Sequence, residues 1–305
     1  MMTQTTDTLL LVRPYHFRKN EQTAVNNYFQ EEVAGEDVTA RAQQEFDSFA
    51  QRLADHHINT LIMQDDGRFD TPDSVFPNNC ISFHKRTAVL YPMFAENRRR
   101  ERQLNYLQAL DGWGLHFDDI IDYTAHEQEH RFLEGTGCLI LDRINRVAYC
   151  SLSPRADAGI VHQFCLDLGY DPFIFEASQT VDGERKPIYH SNVMMAIGTS
   201  FAVVCLESID NRYLREEMVQ RLEAGGREII AITDQQMQHF AGNILEVKSI
   251  TGKPHIVMSS QAYGHFTSAQ IQQLQVFGEI IHAPLDTIET AGGGSARCML
   301  AEVFY

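Results

Sequence analysis

The 305-residue chain has no run of apolar residues near the ~20 that a membrane-crossing helix needs, so a membrane-spanning role is not expected. Positive charge is scarce: 25 Lys and Arg stand against 41 Asp and Glu, a formal net charge of −16. The average field then repels phosphate backbones and anionic lipid surfaces, which argues against nucleic-acid and membrane partners. There is no CxxC pair, no HExxH, no Walker-type phosphate loop, no GxGxxG after a strand pattern and no zinc-type cysteine cluster. Neither a metal nor a cofactor is therefore expected. The six cysteines, at 80, 138, 150, 165, 205 and 298, lack a disulfide-type spacing. Free thiols in a cytoplasmic protein are the expectation, and most should be small core residues. The start, MMTQTTDTLLLVRPYHF, has no basic leader or small-residue cleavage site and reads as a core strand.

What the chain does have is periodicity. Two strand patterns joined by a polar turn, then an amphipathic helix, then a further strand recur from residues 80, 138, 193 and 244. A Gly or Asn precedes the first strand each time: Asn79, Gly137, Asn192 and Asn243, at intervals of 51 to 58 residues. A further step of 54 reaches Arg297, beside Cys298. The fifth unit is then split. Its first strand is CMLAEVF at the C-terminus and its second is TLLLVRP at the N-terminus, followed by a helix near 38–57 and a strand near 58–64. The spacing predicts a single α/β domain over residues 1–305, a five-bladed α/β propeller of pseudo-fivefold ββαβ units. An ordinary doubly wound α/β domain, with an accidental repeat, is the competing reading.

In a propeller, equivalent landmarks converge near the axis, so Asp73, Asn78, Asn79, Glu134, His190, Asn243 and Cys298 become neighbours. Cys298 follows three glycines and a serine, a run that permits a tight loop around a ligand. The other five cysteines sit inside apolar patterns, where an inert thiol is the simpler reading. An effective cysteine nucleophile needs a base or electropositive surroundings. His190, in PIYHSNVMMAIG, stands at the equivalent landmark of another unit, which distinguishes it from the other twelve histidines. Glu134 in FLEGTGCLILD and Asp73 in TPDSVFPNN are carboxylates suited to a planar N–H fork. Solvated surface is otherwise the ordinary fate of an acidic residue. The arginines of ENRRRERQ and Arg155 of SLSPRAD read first as solvated charge, and second as bidentate clamps for a substrate carboxylate.

Taken together, PDSVFPNN, NRRRER, FLEGTG, SPR, YHSNV, FAGN and GGGSARCMLAE resemble the guanidino-group-modifying superfamily of arginine deiminases, amidinotransferases and dimethylarginine dimethylaminohydrolases. The likeness is nearest to its bacterial amidinotransferase-like branch, associated with citrulline hydrolysis. The resemblance implies a five-bladed α/β propeller, Cys298 as covalent nucleophile, His190 as general acid/base and Glu134 as the carboxylate beside the substrate. It further implies that Asp73 binds substrate and that Arg98 and Arg155 hold an amino acid carboxylate; Asn78, Asn79, Asn192 and Asn243, from their places in the repeat, are expected to complete the binding set.

The chain departs from its relatives at informative places. Asn78 and Asn79 stand where dimethylarginine hydrolases carry Glu-Asp, and His190-Ser191-Asn192 stands where arginine deiminases carry His-X-Asp. Amides offer donor and acceptor without charge, which suits a neutral ureido group better than a guanidinium. The expected function is a cysteine-dependent hydrolase of a ureido or guanidino amino acid, citrulline favoured, in a possible homo-oligomer. An arginine-type deiminase or amidinotransferase is the alternative within the class, and a noncatalytic amino-acid sensor the alternative outside it.

Overall fold

The structure is a computed structural model that describes residues 3–33 and 37–305. Its regular framework is five three-stranded sheets with one topology: an antiparallel hairpin, then a helix, then a strand parallel to the hairpin's second strand. Ile81–His84, Thr87–Leu90 and Asp119–Asp122 form one sheet, and Leu139–Asp142, Val147–Ser151 and Asp171–Phe175 the next. Met195–Ile197, Phe201–Val204 and Glu228–Ala231 form the third, and Leu245–Lys248, Pro254–Ser259 and Glu279–Ala283 the fourth. The fifth joins the two ends of the chain. Ala301–Glu302 pairs antiparallel with Thr8–Arg13, Leu9 opposite Glu302, and Thr8–Arg13 runs parallel to Asn59–Gln64.

Burial falls from the first strand of each sheet to the third. Ile81–His84, Leu139–Asp142 and Met195–Ile197 are buried throughout, whereas Asp119–Asp122 is mostly exposed. The first strands are enclosed on both faces, and the outer strands are more exposed because helices cover only one side. First strands of neighbouring sheets touch: Ala301–Glu302 lies against Ile81–His84, and Met195–Ile197 against both Leu139–Asp142 and Leu245–Lys248. A single helical turn precedes the first strand in four of the sheets, at Pro77–Asn79, Gly135–Cys138, Ser191–Val193 and Ala296–Met299. These turns carry four of the five landmarks of the repeat. At the opposite end, Gln4 donates to Leu141 O and Ile197 O and accepts from Arg143 N, tying the N-terminal segment to two sheets.

The sequence pattern predicts one helix over 96–110, but the chain breaks it. A short turn, Glu96–Arg99, and a 3-10 stretch, Arg100–Leu104, end at Asn105, whose φ of 56° is left-handed, before Tyr106–Gly112 resumes as helix. Asn tolerates that conformation better than most residues. The break lets Arg98 and Glu101 turn inward and become buried. A hairpin of Ser178–Val181 with Glu184–Pro187 is additional to the repeat.

The helix Val38–Asp55 seals the junction between the chain ends. Its buried face of Phe46, Phe49 and Leu53 packs with Leu9, Leu11, Ile281 and Ile288. Phe46→Ala is expected to lower unfolding free energy by about 3–5 kcal/mol, measured by urea denaturation. A loss below about 1 kcal/mol would contradict this packing.

Candidate active site

The helical turns before the first strands place the candidate residues in one buried cluster. Cys298 sits in the turn Ala296–Met299, with Asn192 and Asn243 delivered by two other units. Both amides donate from Nδ2 to Cys298 Sγ, at 3.3 Å and 3.2 Å. Asn243 also accepts from the Cys298 backbone N–H at 3.3 Å and donates to Asn192 O at 3.0 Å, so one asparagine fixes both the sulfur and its neighbour. All six cysteines are free and buried. Cys80 and Cys205 donate to carboxylates and Cys138 to a carbonyl, whereas the Cys298 sulfur is an acceptor that also lines the central cavity.

His190 faces the same cavity and bonds through Nε2 to Glu134 Oε2 at 2.7 Å. A carboxylate can only accept, so Nε2 carries the proton. Nδ1 is then the unprotonated nitrogen of the neutral ring. Burial pushes the His190 pKa down to about 4, with Glu134 opposing the shift only in part. Glu134 itself stays ionised. Burial disfavours its charge, but Arg155 at 3.4 Å, the His190 bond and Arg98 at 3.8 Å hold its pKa well below the ordinary carboxylate range. Gly137 makes room for the ring: a Cβ at that position would lie 2.8 Å from His190 Nδ1 and 2.4 Å from Asn79 Nδ2. The landmark glycine of this unit is thus a steric requirement of the histidine in the next.

Asp73 lies across the cavity. Its Oδ2 accepts from Asn20 Nδ2 at 2.8 Å and Thr23 Oγ1 at 3.2 Å, whereas its Oδ1 is buried with no hydrogen-bond partner. Burial raises the Asp73 pKa, with Arg98 and Asn20 pulling the other way. Asn192 Oδ1 is likewise a buried acceptor without a donor. Of these two residues only Asp73 lines the cavity, so its oxygen is the unmet acceptor beside the cavity.

Arg98 and Arg155 border the cavity, yet both already have partners. Arg98 donates to both carboxylate oxygens of Glu101, at 2.7 Å and 3.1 Å, and to Asn79 Oδ1 at 2.7 Å. Arg155 donates through Nε and Nη2 to Asn26 Oδ1, at 2.8 Å and 2.6 Å, and through Nη2 to Thr23 O. Asn78 is bonded to Thr136 and Asn79, outside the cavity lining. Among the described residues no group of three or more His, Cys, Asp or Glu side chains could hold a metal ion.

The segment 20–30 is what sequence reasoning missed. Besides Asn20, Thr23 and Asn26, it supplies Asn27 and Gln30, which donate to the carbonyls of Ala291, Gly292 and Gly293. It therefore covers the cavity and latches onto the glycine run beside Cys298. The space left inside is only about 10 Å³, at the lower edge of the ~10–15 Å³ that a single water needs. The available signal was a long connection rich in Asn and Gln between a strand and a helix, a length uncommon for loops without function. Glu101 was missed because its partner lies three residues away on a surface-like charged run.

With the fold and the site in view, comparisons with known proteins become informative. A family model described as N,N dimethylarginine dimethylhydrolase, eukaryotic, matches residues 13–305. No curated protein sequence matches the chain. Among solved structures, the apo form of ArgZ, an arginine dihydrolase from the ornithine-ammonia cycle in cyanobacteria, is similar with a TM-score of 0.75 at 15% identity. That match covers 97% of this chain and 40% of ArgZ. AgrE in complex with ornithine and NAD+ is similar at 18% identity and a TM-score of 0.75, over 97% of this chain and 39% of AgrE. DDAH from Pseudomonas aeruginosa, as a cysteine-to-serine variant complexed with citrulline, is similar at 13% identity and a TM-score of 0.67, over 98% of this chain and 99% of that one. The chain thus spans about two fifths of the length of full-length ArgZ and AgrE. At such identities these likenesses establish a shared mixed α/β fold.

Gly137→Ala should displace the imidazole and cost about a hundredfold in kcat/KM while circular dichroism still shows folded protein. Full activity in that variant would contradict the close approach. The near-complete match of the family model is what decides membership: the chain belongs to the N,N-dimethylarginine dimethylhydrolase family, within the guanidino-group-modifying superfamily.

Proposed function

We propose that the protein is a single-domain, five-bladed α/β propeller hydrolase that uses Cys298 to cleave a C–N bond of a ureido amino acid, with citrulline as substrate. The observation that carries this reading is the convergence of the Cys298 sulfur, the Glu134-bound His190 and the unmet Asp73 oxygen on one cavity. A ureido group has N–H donors for the unmet Asp73 oxygen. It is also neutral, and the three carboxylates of the site, Asp73, Glu101 and Glu134, already have two cations beside them in Arg98 and Arg155. A guanidinium would add a third cation beside them.

In this mechanism His190 Nδ1 takes the Cys298 proton as the sulfur attacks the ureido carbon. The protonated imidazole, stabilised by Glu134, then gives that proton to the leaving amine of ornithine as the tetrahedral adduct collapses to a carbamoyl thioester. Water, deprotonated by the same histidine, attacks the thioester and restores the thiol. The released carbamate falls to ammonia and carbon dioxide. Asn192 and Asn243 hold the sulfur throughout. Arg155 is the candidate clamp for the α-carboxylate, which would take over the donors now given to Asn26 Oδ1 and Thr23 O. The small cavity requires segment 20–30 to lift before substrate enters.

The family match favours a second reading, hydrolytic removal of the amine from an N-methylated arginine. Incubation with equal concentrations of citrulline, arginine and N,N-dimethylarginine separates the two. Ornithine and ammonia from citrulline, at a rate at least about tenfold above any product from the guanidines, is the expected result. Conversion of either guanidine to citrulline that then accumulates would overturn the ureido assignment.

A further inference from the structure

Three of the first strands, Ala301–Glu302 just after Cys298, Leu245–Lys248 just after Asn243 and Ile81–His84 just after Asn79, lead away from the Cys298 cavity to a second cavity of about 450 Å³. Its floor is Arg143, only 4% exposed, and around it stand His84, Lys85, Lys248, Asp7 and Phe304. Arg143 follows the first strand of its sheet directly, as Lys85 follows Ile81–His84 and Lys248 closes Leu245–Lys248. The repeat that gathers the candidate catalytic residues at one end therefore gathers three cations at the other.

Arg143 is paired differently from the other deeply buried arginines. Arg98, Arg155, Arg227 and Arg297 each donate to two or more oxygens. Among the described residues the Arg143 guanidinium makes a single hydrogen bond, Nη1 to His84 Nδ1 at 3.3 Å, and its nearest carboxylate, Glu302, is 4.0 Å away. It lies flat over the Phe304 ring at 3.8 Å, which fixes its plane and leaves its remaining N–H groups free to meet a ligand. His84 cannot neutralise it. Its Nε2 bonds to Ser82 Oγ, and burial with Arg143 nearby holds the imidazole neutral. A buried, under-paired guanidinium is costly unless an anion or solvent meets its donors. Arg143, Lys85 and Lys248 against Asp7 leave the pocket net positive in a chain of net charge −16, and its volume suits a small molecule.

We propose that this pocket is a binding site for a small, multiply charged oxyanion, a di- or tricarboxylate or a phosphorylated metabolite, held by the Arg143 fork with Lys85 and Lys248 at the rim. The site is separate from the Cys298 cavity, so its occupancy is measurable without turnover.

Isothermal titration calorimetry of the full chain with sodium pyrophosphate and with sodium citrate, at matched ionic strength, tests the proposal. Saturable binding of at least one anion is expected, weakened roughly tenfold or more by Arg143→Gln and about threefold or more by Lys248→Glu. Binding of pyrophosphate alone assigns phosphoryl chemistry, and binding of citrate alone assigns carboxylate chemistry. If Arg143→Gln does not fold, Lys85→Glu and Lys248→Glu carry the same reading. No heat of binding up to about 10 mM of either anion, or binding unchanged by the rim substitutions, overturns the proposal.

Discussion

The site is organised around one buried carboxylate. Glu134 accepts from His190 Nε2, the Phe94 backbone N–H and Arg155, and stands 3.8 Å from Arg98. Arg98 continues the network to Glu101, Asn79 and Asp73. These charges are removed from water, where each ion alone would cost several kcal/mol. Their mutual pairing makes the burial tolerable, and loss of one partner leaves another uncompensated. The constraint then spreads outward. The helix that the sequence pattern suggests over 96–110 breaks so that Arg98 and Glu101 can reach inward, and Gly137 stays small so that His190 can reach Glu134.

The same network sets the chemistry. Glu134 fixes the imidazole tautomer, so the ring nitrogen left unprotonated is Nδ1. Burial keeps the empty-site histidine neutral, and a neutral histidine is a base. In the proposed mechanism it becomes an acid only after taking a proton, which couples acid catalysis to prior activation of the thiol. The amides on the sulfur add donors but no charge, consistent with a neutral substrate group. Segment 20–30 closes the system by giving Arg155 and Asp73 their hydrogen-bond partners.

Much of this was legible in the residues. The recurring landmark placed Cys298, His190, Asn243 and Gly137 at equivalent positions, and the fifth sheet joins the chain ends as the split repeat requires. Period-2 and helical patterns survived because each sheet buries its first strand and covers the last with a helix. What the pattern did not carry was side-chain pairing across units. Arg98 looks like surface charge until Glu101 is seen folded under it, and the Asn20–Gln30 segment has no periodicity because its polar groups bond to distant backbone. The far-end pocket was invisible for a similar reason: Arg143, Lys85 and Lys248 are ordinary hairpin-turn residues until the sheets bring them together.

Intact-mass analysis of enzyme quenched during citrulline turnover tests the central claim most directly. The account predicts the added mass of one carbamoyl group, mapped by peptide digestion to Cys298 and absent from Cys298→Ala, which is also inactive. An adduct on another residue, or turnover retained by Cys298→Ala, would contradict it.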